Sequence, residues 1–286
     1  MIARRVGIAL ALLLMAAQPL HAQPTIQVVP PVSVQARPGV TVEYLAVRRT
    51  IKIRPRKAVI LFAGGNGLLN LQPDDSIPTG LSQNFLVRSR AVFAQQGLFV
   101  AVVDTPNQIA INGNIRLSAD YAQEMGAVIQ EVRGYLAHGG KVWLVGTSSG
   151  TISAASIAAR FPHVSLKTRF PNKVNLRRPD GIVLTSTQTT LVSGQCGVTV
   201  FGANLAAINV PVLIAADQND ACPCSPPASD GGVLAALTHT NAKAAMTFSG
   251  GGPPQDPTVC NALTYHGFIG IEDTVVDAIA GWIATH

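Results

Sequence analysis

Lys141–Pro162 reads KVWLVGTSSGTISAASIAARFP. Val142, Trp143, Leu144 and Val145 form a short apolar run of the kind a buried strand shows. Gly146-Thr147-Ser148-Ser149-Gly150 interrupts it, and an Ala-, Ile- and Ser-rich helical segment then runs to the breaker Pro162. Strand, G-x-S-x-G and helix in that order predict a nucleophile elbow, with Ser148 on a sharp, strained turn and its hydroxyl exposed. Side chains at 146 and 150 would collide where strand and helix come close, which accounts for the two glycines. Ala154 and Ala155 keep the first helical turns slim for the same reason.

The chain around this stretch alternates buried strands with helices. Toward the N-terminus, strands are expected at Val40–Thr50 with Ile51–Arg54, at Lys57–Phe62 and at Leu98–Val103. Helices are expected around Gln83–Gln96 and from the N-cap Ser118 to Ala137, where His138-Gly139-Gly140 stops the pattern. Toward the C-terminus come strands at Gly181–Ser186, Val210–Ala216 and Ala242–Ser249, a short helix around Gly232–Thr238 and a last helix over Gly267–Ala284. The fold class this predicts is α/β: a mostly parallel central sheet with helices on both faces. Only Thr187–Asn209 is free for an insertion above it, too short for a large lid domain.

Residues 1–22 are read as a secretory signal peptide. Arg4 and Arg5 precede an apolar run from Val6 to Ala17, and Leu20-His21-Ala22 offers a cleavage site. The run is shorter than the ~20 apolar residues a spanning helix needs, so no membrane span is expected and a periplasmic or secreted location is. Residues 23–40 are Pro-rich and are read as an extended arm, leaving 41–286 as one domain. The formal net charge of +6 falls to +4 when the two arginines leave with the signal. Much of the remaining excess sits in Lys167, Arg169, Lys173, Arg177 and Arg178; without aromatic interleaving or a binding motif it reads as a solvated basic loop, not a nucleic-acid surface.

A serine hydroxyl needs a base to take its proton and an acid to orient that base. Past Ser148 the histidines are His163, His239, His266 and His286. His163 lies at the far end of the elbow helix, His239 reads as a helix C-cap and His286 ends the sequence. His266 precedes the last helix in a loop able to bring its ring over the sheet edge. Asp217 and Asp220 both follow the strand Val210–Ala216, at the carboxyl end where open α/β sheets assemble sites; Asp220 has the reach and is preferred. Asp180 precedes a strand at the opposite edge, and Asp273 and Asp277 belong to the last helix. The backbone N–H groups of Ser149 and of Gly65, in the slim turn AGGNG, suit an oxyanion hole.

These segments together resemble the α/β-hydrolase fold family over nearly the whole of the chain past residue 22. AGGNG stands where the family has an H-G-x-x-G turn, GTSSG matches its elbow, PVLIAADQNDACP resembles its acid strand and loop, and YHGFIGIEDTVVDAIAGWI its histidine loop and closing helix. The resemblance implies Ser148 as nucleophile, Asp220 as acid, His266 as base and Gly65 with Ser149 as oxyanion donors. Ala63 departs from the family pattern, since a histidine usually stands there and supports the turn. The function implied is an exported serine hydrolase cleaving carboxylic esters at a site open or roofed only by loops, including Leu68–Leu81. The substrate would be a small-molecule or polymer-end ester. The alternatives are an amidase or peptidase with the same triad, a binding protein on the same scaffold, and a redox protein using Cys222 and Cys224.

Cys196, Cys222, Cys224 and Cys260 in an exported chain predict two disulfides, not a metal site, since the Cys222-Pro223-Cys224 spacing is wrong for a zinc ribbon. No cofactor is expected. Cys222 lies two residues beyond the proposed acid and Cys260 six before the proposed base. If acid and base meet, their loops lie side by side, so Cys222–Cys260 is the expected bridge, with Cys196 and Cys224 as a second pair or free thiols. Cys224–Cys260 with Cys196–Cys222 would place the same loops together.

Overall fold

A computed structural model of the chain describes residues 25–50, 53–161, 177–240 and 242–286. The segment read as a signal peptide, His163 and the lysines and Arg169 of the basic loop lie outside the described residues. Elements run in chain order as β1 (Ile26–Arg37), β2 (Val40–Arg49), β3 (Lys57–Phe62), α1 (Phe85–Arg88), α2 (Arg90–Gln95), β4 (Phe99–Val103), α3 (Gly113–Arg116), α4 (Ala119–Gly134), β5 (Lys141–Thr147), α5 (Gly150–Arg160), β6 (Gly181–Thr185), β7 (Val212–Asp217), α6 (Asp230–Ala236), β8 (Lys243–Phe248) and α7 (Glu272–Thr285). The strands form one sheet in the order β1-β2-β4-β3-β5-β6-β7-β8. From β4 to β8 every pairing is parallel, while β1 and β2 add an antiparallel hairpin at one edge.

Side chains of a strand alternate between faces, and here the alternation divides the core in two. Ile60 and Phe62 of β3, Leu144 of β5 and Leu184 of β6 pack with Met125 and Val128 of α4 and with Ala154, Ala155 and Ile157 of α5. Val59 and Leu61, Trp143 and Val145, and Val183 face the other way, onto Phe85, Phe93, Val275, Val276, Ile279 and Ile283 of α1, α2 and α7. Each fully buried aliphatic side chain contributes about 1.5–3 kcal/mol, so the four buried Val and Ile of α7 are what dock that helix. The chain steps from β3 to β4 on one side and returns to β5 on the other. The carboxyl ends of β3 and β5 therefore flank the switch point, where open α/β sheets place their crevice.

Several boundaries differ from the sequence reading. Residues 26–37, read as an arm, are extended but belong to the sheet: β1 pairs with β2 from Ile26↔Arg49 to Arg37↔Val40. Its two prolines hid this. Pro30 and Pro31 fall at a register shift between Val29 and Val32, an irregularity on an edge strand that tolerates residues without an N–H. The helix expected over 83–96 is split. Asn84 caps α1 by accepting from the Leu86 N–H, and α2 begins only after Ser89. In α4, Ser118 accepts from the Tyr121 N–H at the N-terminus, but the α-helix ends at Gly134 and the next residues tighten into i→i+3 turns. Strand β7 starts after Pro211 rather than at Val210, and α7 starts five residues late, because Phe268 turns left-handed (φ 58°) to bury its ring against Phe85 and Phe248. Between 187 and 209 there are short 3-10 turns and an isolated bridge between Val192 and Cys196, and no large lid is present among the described residues. No helix among the described residues is long and apolar enough to cross a membrane.

Candidate active site

The turn between β5 and α5 carries Ser148 with φ 54°. A non-glycine residue in this left-handed region costs about 1–2 kcal/mol, and the surroundings hold it there. The Ser148 N–H donates to Thr185 O (3.0 Å), and its carbonyl accepts from Thr151 N (3.0 Å) and Thr151 Oγ1 (2.5 Å). The flanking glycines leave no room for side chains. A Cβ at Gly146 would lie 2.3 Å from Gly150 O, and one at Gly150 would lie 2.2 Å from Phe62 O. Helix α5 thus starts against the end of β3.

His266 is fixed at three points. Its backbone N–H donates to Thr264 Oγ1 (3.1 Å), its carbonyl accepts from Ser186 Oγ (2.8 Å), and its Nδ1 lies 2.9 Å from Asp220 Oδ2. The other oxygen of Asp220 accepts from the Cys222 N–H at 2.9 Å. Both side chains are buried, and His266 Nε2 has no hydrogen-bond partner. That nitrogen belongs to a residue lining the same cavity as Ser148.

Asp217, at the end of β7, is buried and turned away from this pair. Its Oδ1 accepts from the Asn219 N–H (2.8 Å) and its Oδ2 is unpartnered. Burial pushes its carboxyl pKa up, and the charge of Asp220 adds to that against the Asn219 hydrogen bond. Asp230 is likewise pushed up to about 7, by burial first and Asp220 second. Asp180 binds the Val142 N–H and Arg133 at the amino ends of β5 and β6, opposite the crevice. Asp277 accepts from Gln96 at the surface. His239 does not cap α6, which closes with Leu237 N–H on Val233 O; its Nδ1 meets Ala206 O instead. His286 stacks on Trp282.

The turn after β3 comes directly beside the serine. Gly65 is left-handed (φ 57°), and a Cβ at Gly64 would lie 3.0 Å from Ser148 Cβ. The N–H of Gly67 closes the turn on Gly64 O (3.1 Å), and Ser149 Oγ donates to Gly65 O (2.7 Å). The backbone N–H groups of Gly65 and Ser149 have no partner among the described residues.

The sequence reading missed Arg116, the last residue of α3. It is buried, and its guanidinium donates to Ala63 O and Gly65 O (both 3.2 Å) and to Ser153 Oγ (2.7 Å), which in turn donates to Tyr121 OH. No carboxylate bonds to it among the described residues, and burial lowers its pKa. Arg116 therefore holds the turn in which Ala63 offers no polar side chain. Nothing in the local sequence marks it, because its acceptors lie 37 to 53 residues away. The loop after the turn is tied down rather than roofing the site: Asp104 accepts from the N–H groups of Leu69 (2.8 Å) and Leu71 (3.0 Å), whose side chains are buried, and only Gly80 and Leu81 at its far end reach the cavity.

Cys222 is bonded to Cys260 and Cys196 to Cys224. The sulfurs of Cys222, Cys224 and Cys260 lie within 4.8 Å of one another, but disulfide bonding removes them as thiolate metal ligands. The first bridge joins the loops carrying Asp220 and His266 across 38 residues of sequence. Replacing Cys222 and Cys260 together by Ser is expected to cost about 2–4 kcal/mol, as the loops carrying Asp220 and His266 lose their tether. Thermal unfolding checks this; an unchanged melting temperature would show the bridge to be incidental.

A parallel sheet with an antiparallel edge hairpin, helices on both faces and a left-handed serine where β5 turns into α5 is an α/β-hydrolase fold. No protein-family model and no curated protein matches the sequence. Among solved structures the chain is similar to a dienelactone hydrolase-like promiscuous phosphotriesterase from metagenomic libraries, at 14% identity and TM-score 0.57, covering 92% of this chain and 99% of that one. It is similar to a lidless α/β serine hydrolase of Xanthomonas campestris at 10% identity and TM-score 0.56, with 94% and 97% covered. It also resembles an esterase of Rhizomucor miehei at 13% identity and TM-score 0.57, with 94% and 85% covered.

Proposed function

We propose that the chain is an exported serine hydrolase acting on carboxylic esters through Ser148, His266 and Asp220. The observation that carries this is the buried His266–Asp220 hydrogen bond, which leaves Nε2 unpartnered in a residue lining the same cavity as Ser148, itself held in a left-handed turn. Asp220 fixes the tautomer with the proton on Nδ1, so Nε2 can accept the Ser148 proton as Oγ bonds to the ester carbonyl carbon. The oxygen that becomes negative is stabilised by the Gly65 and Ser149 N–H groups. Collapse breaks the bond to the leaving oxygen, which takes the proton from Nε2 and departs as the alcohol. Water then gives a proton to Nε2 as it attacks the acyl-enzyme; the acid leaves and Oγ recovers its proton. The two disulfides suit an oxidising compartment, in keeping with the N-terminal apolar run as a secretory signal.

A fluorophosphonate probe tests the nucleophile. The protein is expected to be labelled at Ser148 with loss of activity toward p-nitrophenyl butyrate, and Ser148→Ala to take up no label. Labelling that survives Ser148→Ala, or no labelling of the folded protein, would overturn the proposal.

A further inference from the structure

Ser148 stands between two cavities of different chemistry. The larger, about 720 Å³, shares Gly65, Ser148 and Cys260 with the smaller, about 420 Å³. Among the described residues lining the larger cavity there is no Asp, Glu, Lys, Arg or His; its polar groups are the amides of Asn66, Asn112, Asn114, Gln188 and Gln195, with hydroxyls. The smaller contains His266 and, among its described lining residues, one carboxylate, Asp256. The Cys222–Cys260 bridge stands at the boundary, with Cys222 facing the larger space and Cys260 facing both.

This asymmetry assigns the two halves of an ester. The leaving oxygen must receive the proton held by His266 Nε2, so the alcohol occupies the cavity that His266 lines. The acyl group is then left with the larger cavity, which Ser149 lines but His266 does not. Resting on the serine-hydrolase reading above, we propose that Asp256 makes the smaller cavity a leaving-group site that favours cationic over anionic alcohols, while the larger cavity takes an uncharged acyl group.

Asp256 is built to stay charged. Its Oδ1 accepts from the Thr258 N–H (2.8 Å) and its Oδ2 from Asn261 Nδ2 (2.9 Å), and these bonds hold its pKa below the usual carboxylate range, the Thr258 bond foremost. Arg88 does not cancel it. Arg88 reaches behind this cavity to the carbonyls of Gln83, Ala262 and Gly267, but its guanidinium is paired with Glu272 at 2.8 Å. An anionic acyl group in the larger cavity would lose water without meeting an opposite charge.

The test uses two matched ester series on the full protein. The first varies the alcohol of butyrate: choline, its uncharged isostere 3,3-dimethylbutan-1-ol, and 3-hydroxypropanoate. The kcat/KM values are expected to fall in that order, with choline ahead of its isostere by about three- to tenfold, the effect of one solvent-screened charge at close range. In Asp256→Asn, which keeps the loop's acceptor for Thr258, this ratio is expected to fall to within twofold of one. Taking the ratio within each variant removes any loss of folded protein. The second series varies the acyl group, comparing the p-nitrophenyl esters of monomethyl succinate and of succinate; the wild type is expected to disfavour the anionic one at least tenfold, equally in Asp256→Asn.

A choline preference that survives Asp256→Asn overturns the inference, as does a variant that shifts the acyl ratio instead of the alcohol ratio, which would reverse the assignment of the cavities. Labelling of Ser148 without turnover of any ester in the first series overturns it too, leaving the nucleophile in place. Absence of labelling removes the serine-hydrolase reading and this one with it.

Discussion

Asp220→Asn is expected to leave the protein folded and to lower kcat on p-nitrophenyl butyrate by about 10⁴-fold, the loss seen when a histidine base is left in the wrong tautomer. The asparagine can still accept from the Cys222 N–H, so the loop keeps its local bond. What disappears is the acceptor for His266 Nδ1–H and the charge that stabilises the imidazolium as it forms. An amide NH₂ presented to Nδ1 favours the proton on Nε2, where it blocks acceptance from Ser148. Asp217→Asn is the control. That carboxyl touches only the Asn219 N–H and is already pushed toward its neutral form, so its replacement is expected to change kcat less than threefold. Circular dichroism and steady-state kinetics of both variants decide between them; the reverse pattern would transfer the acid role to Asp217.

Arg116→Met is expected to lower kcat by about 10²-fold, the scale of losing one oxyanion donor, with KM for a small ester changed less than threefold. The negative oxygen exists only in the transition state, so a misplaced turn raises the barrier without loosening the ground-state complex. Met stands in for the aliphatic stem of the side chain and lacks the guanidinium, so Ala63 O and Gly65 O lose the fork that ties them together. The Ser149 Oγ bond to Gly65 O and the Gly67 N–H bond to Gly64 O then remain to orient the turn. Arg116→Lys, which keeps the charge and donors on a single nitrogen, is expected to recover part of the loss. A purely structural role would lower the melting temperature without splitting kcat from KM, and a kcat within threefold of the wild type would show that the turn stands without Arg116. The conservative variant also tests whether the geometry of the fork or only the charge matters.

What could be read from the sequence was what short-range sterics and periodicity encode. Gly146 and Gly150 flank Ser148 because their missing side chains let α5 start against β3, a constraint visible in five residues. The interiors of β3, β5 and β6 (58–62, 142–145 and 182–184) are apolar, as strands covered on both faces must be. That His266 bonds to Asp220 and not to Asp217 follows from reach, since Asp217 is still on the strand. The pattern fails where a distant group decides. Pro30 and Pro31 argue against a strand locally, yet pairing with β2 incorporates them at an irregularity. The start of α7 waits on Phe268, which gives up helical geometry to join Phe85 and Phe248. Arg116 carries no local signal, because its role is written in carbonyls that only tertiary folding brings to it.

The interruption in β1 bears on how the molecule behaves in company. An open sheet exposes backbone donors along its outermost strand, an invitation to a strand from another copy. Pro30 and Pro31 have no N–H to offer, and they sit together in the middle of that strand, where Val29 and Val32 also lose register with β2. An incoming strand would find the ladder broken halfway and the surface bent by the bulge. The opposite rim is β8, only six residues long and opened by Lys243, whose amine is tethered to Leu234 O and Leu237 O. The sheet is therefore blunted at both margins, which guards a crowded solution of this protein against edge-to-edge aggregation.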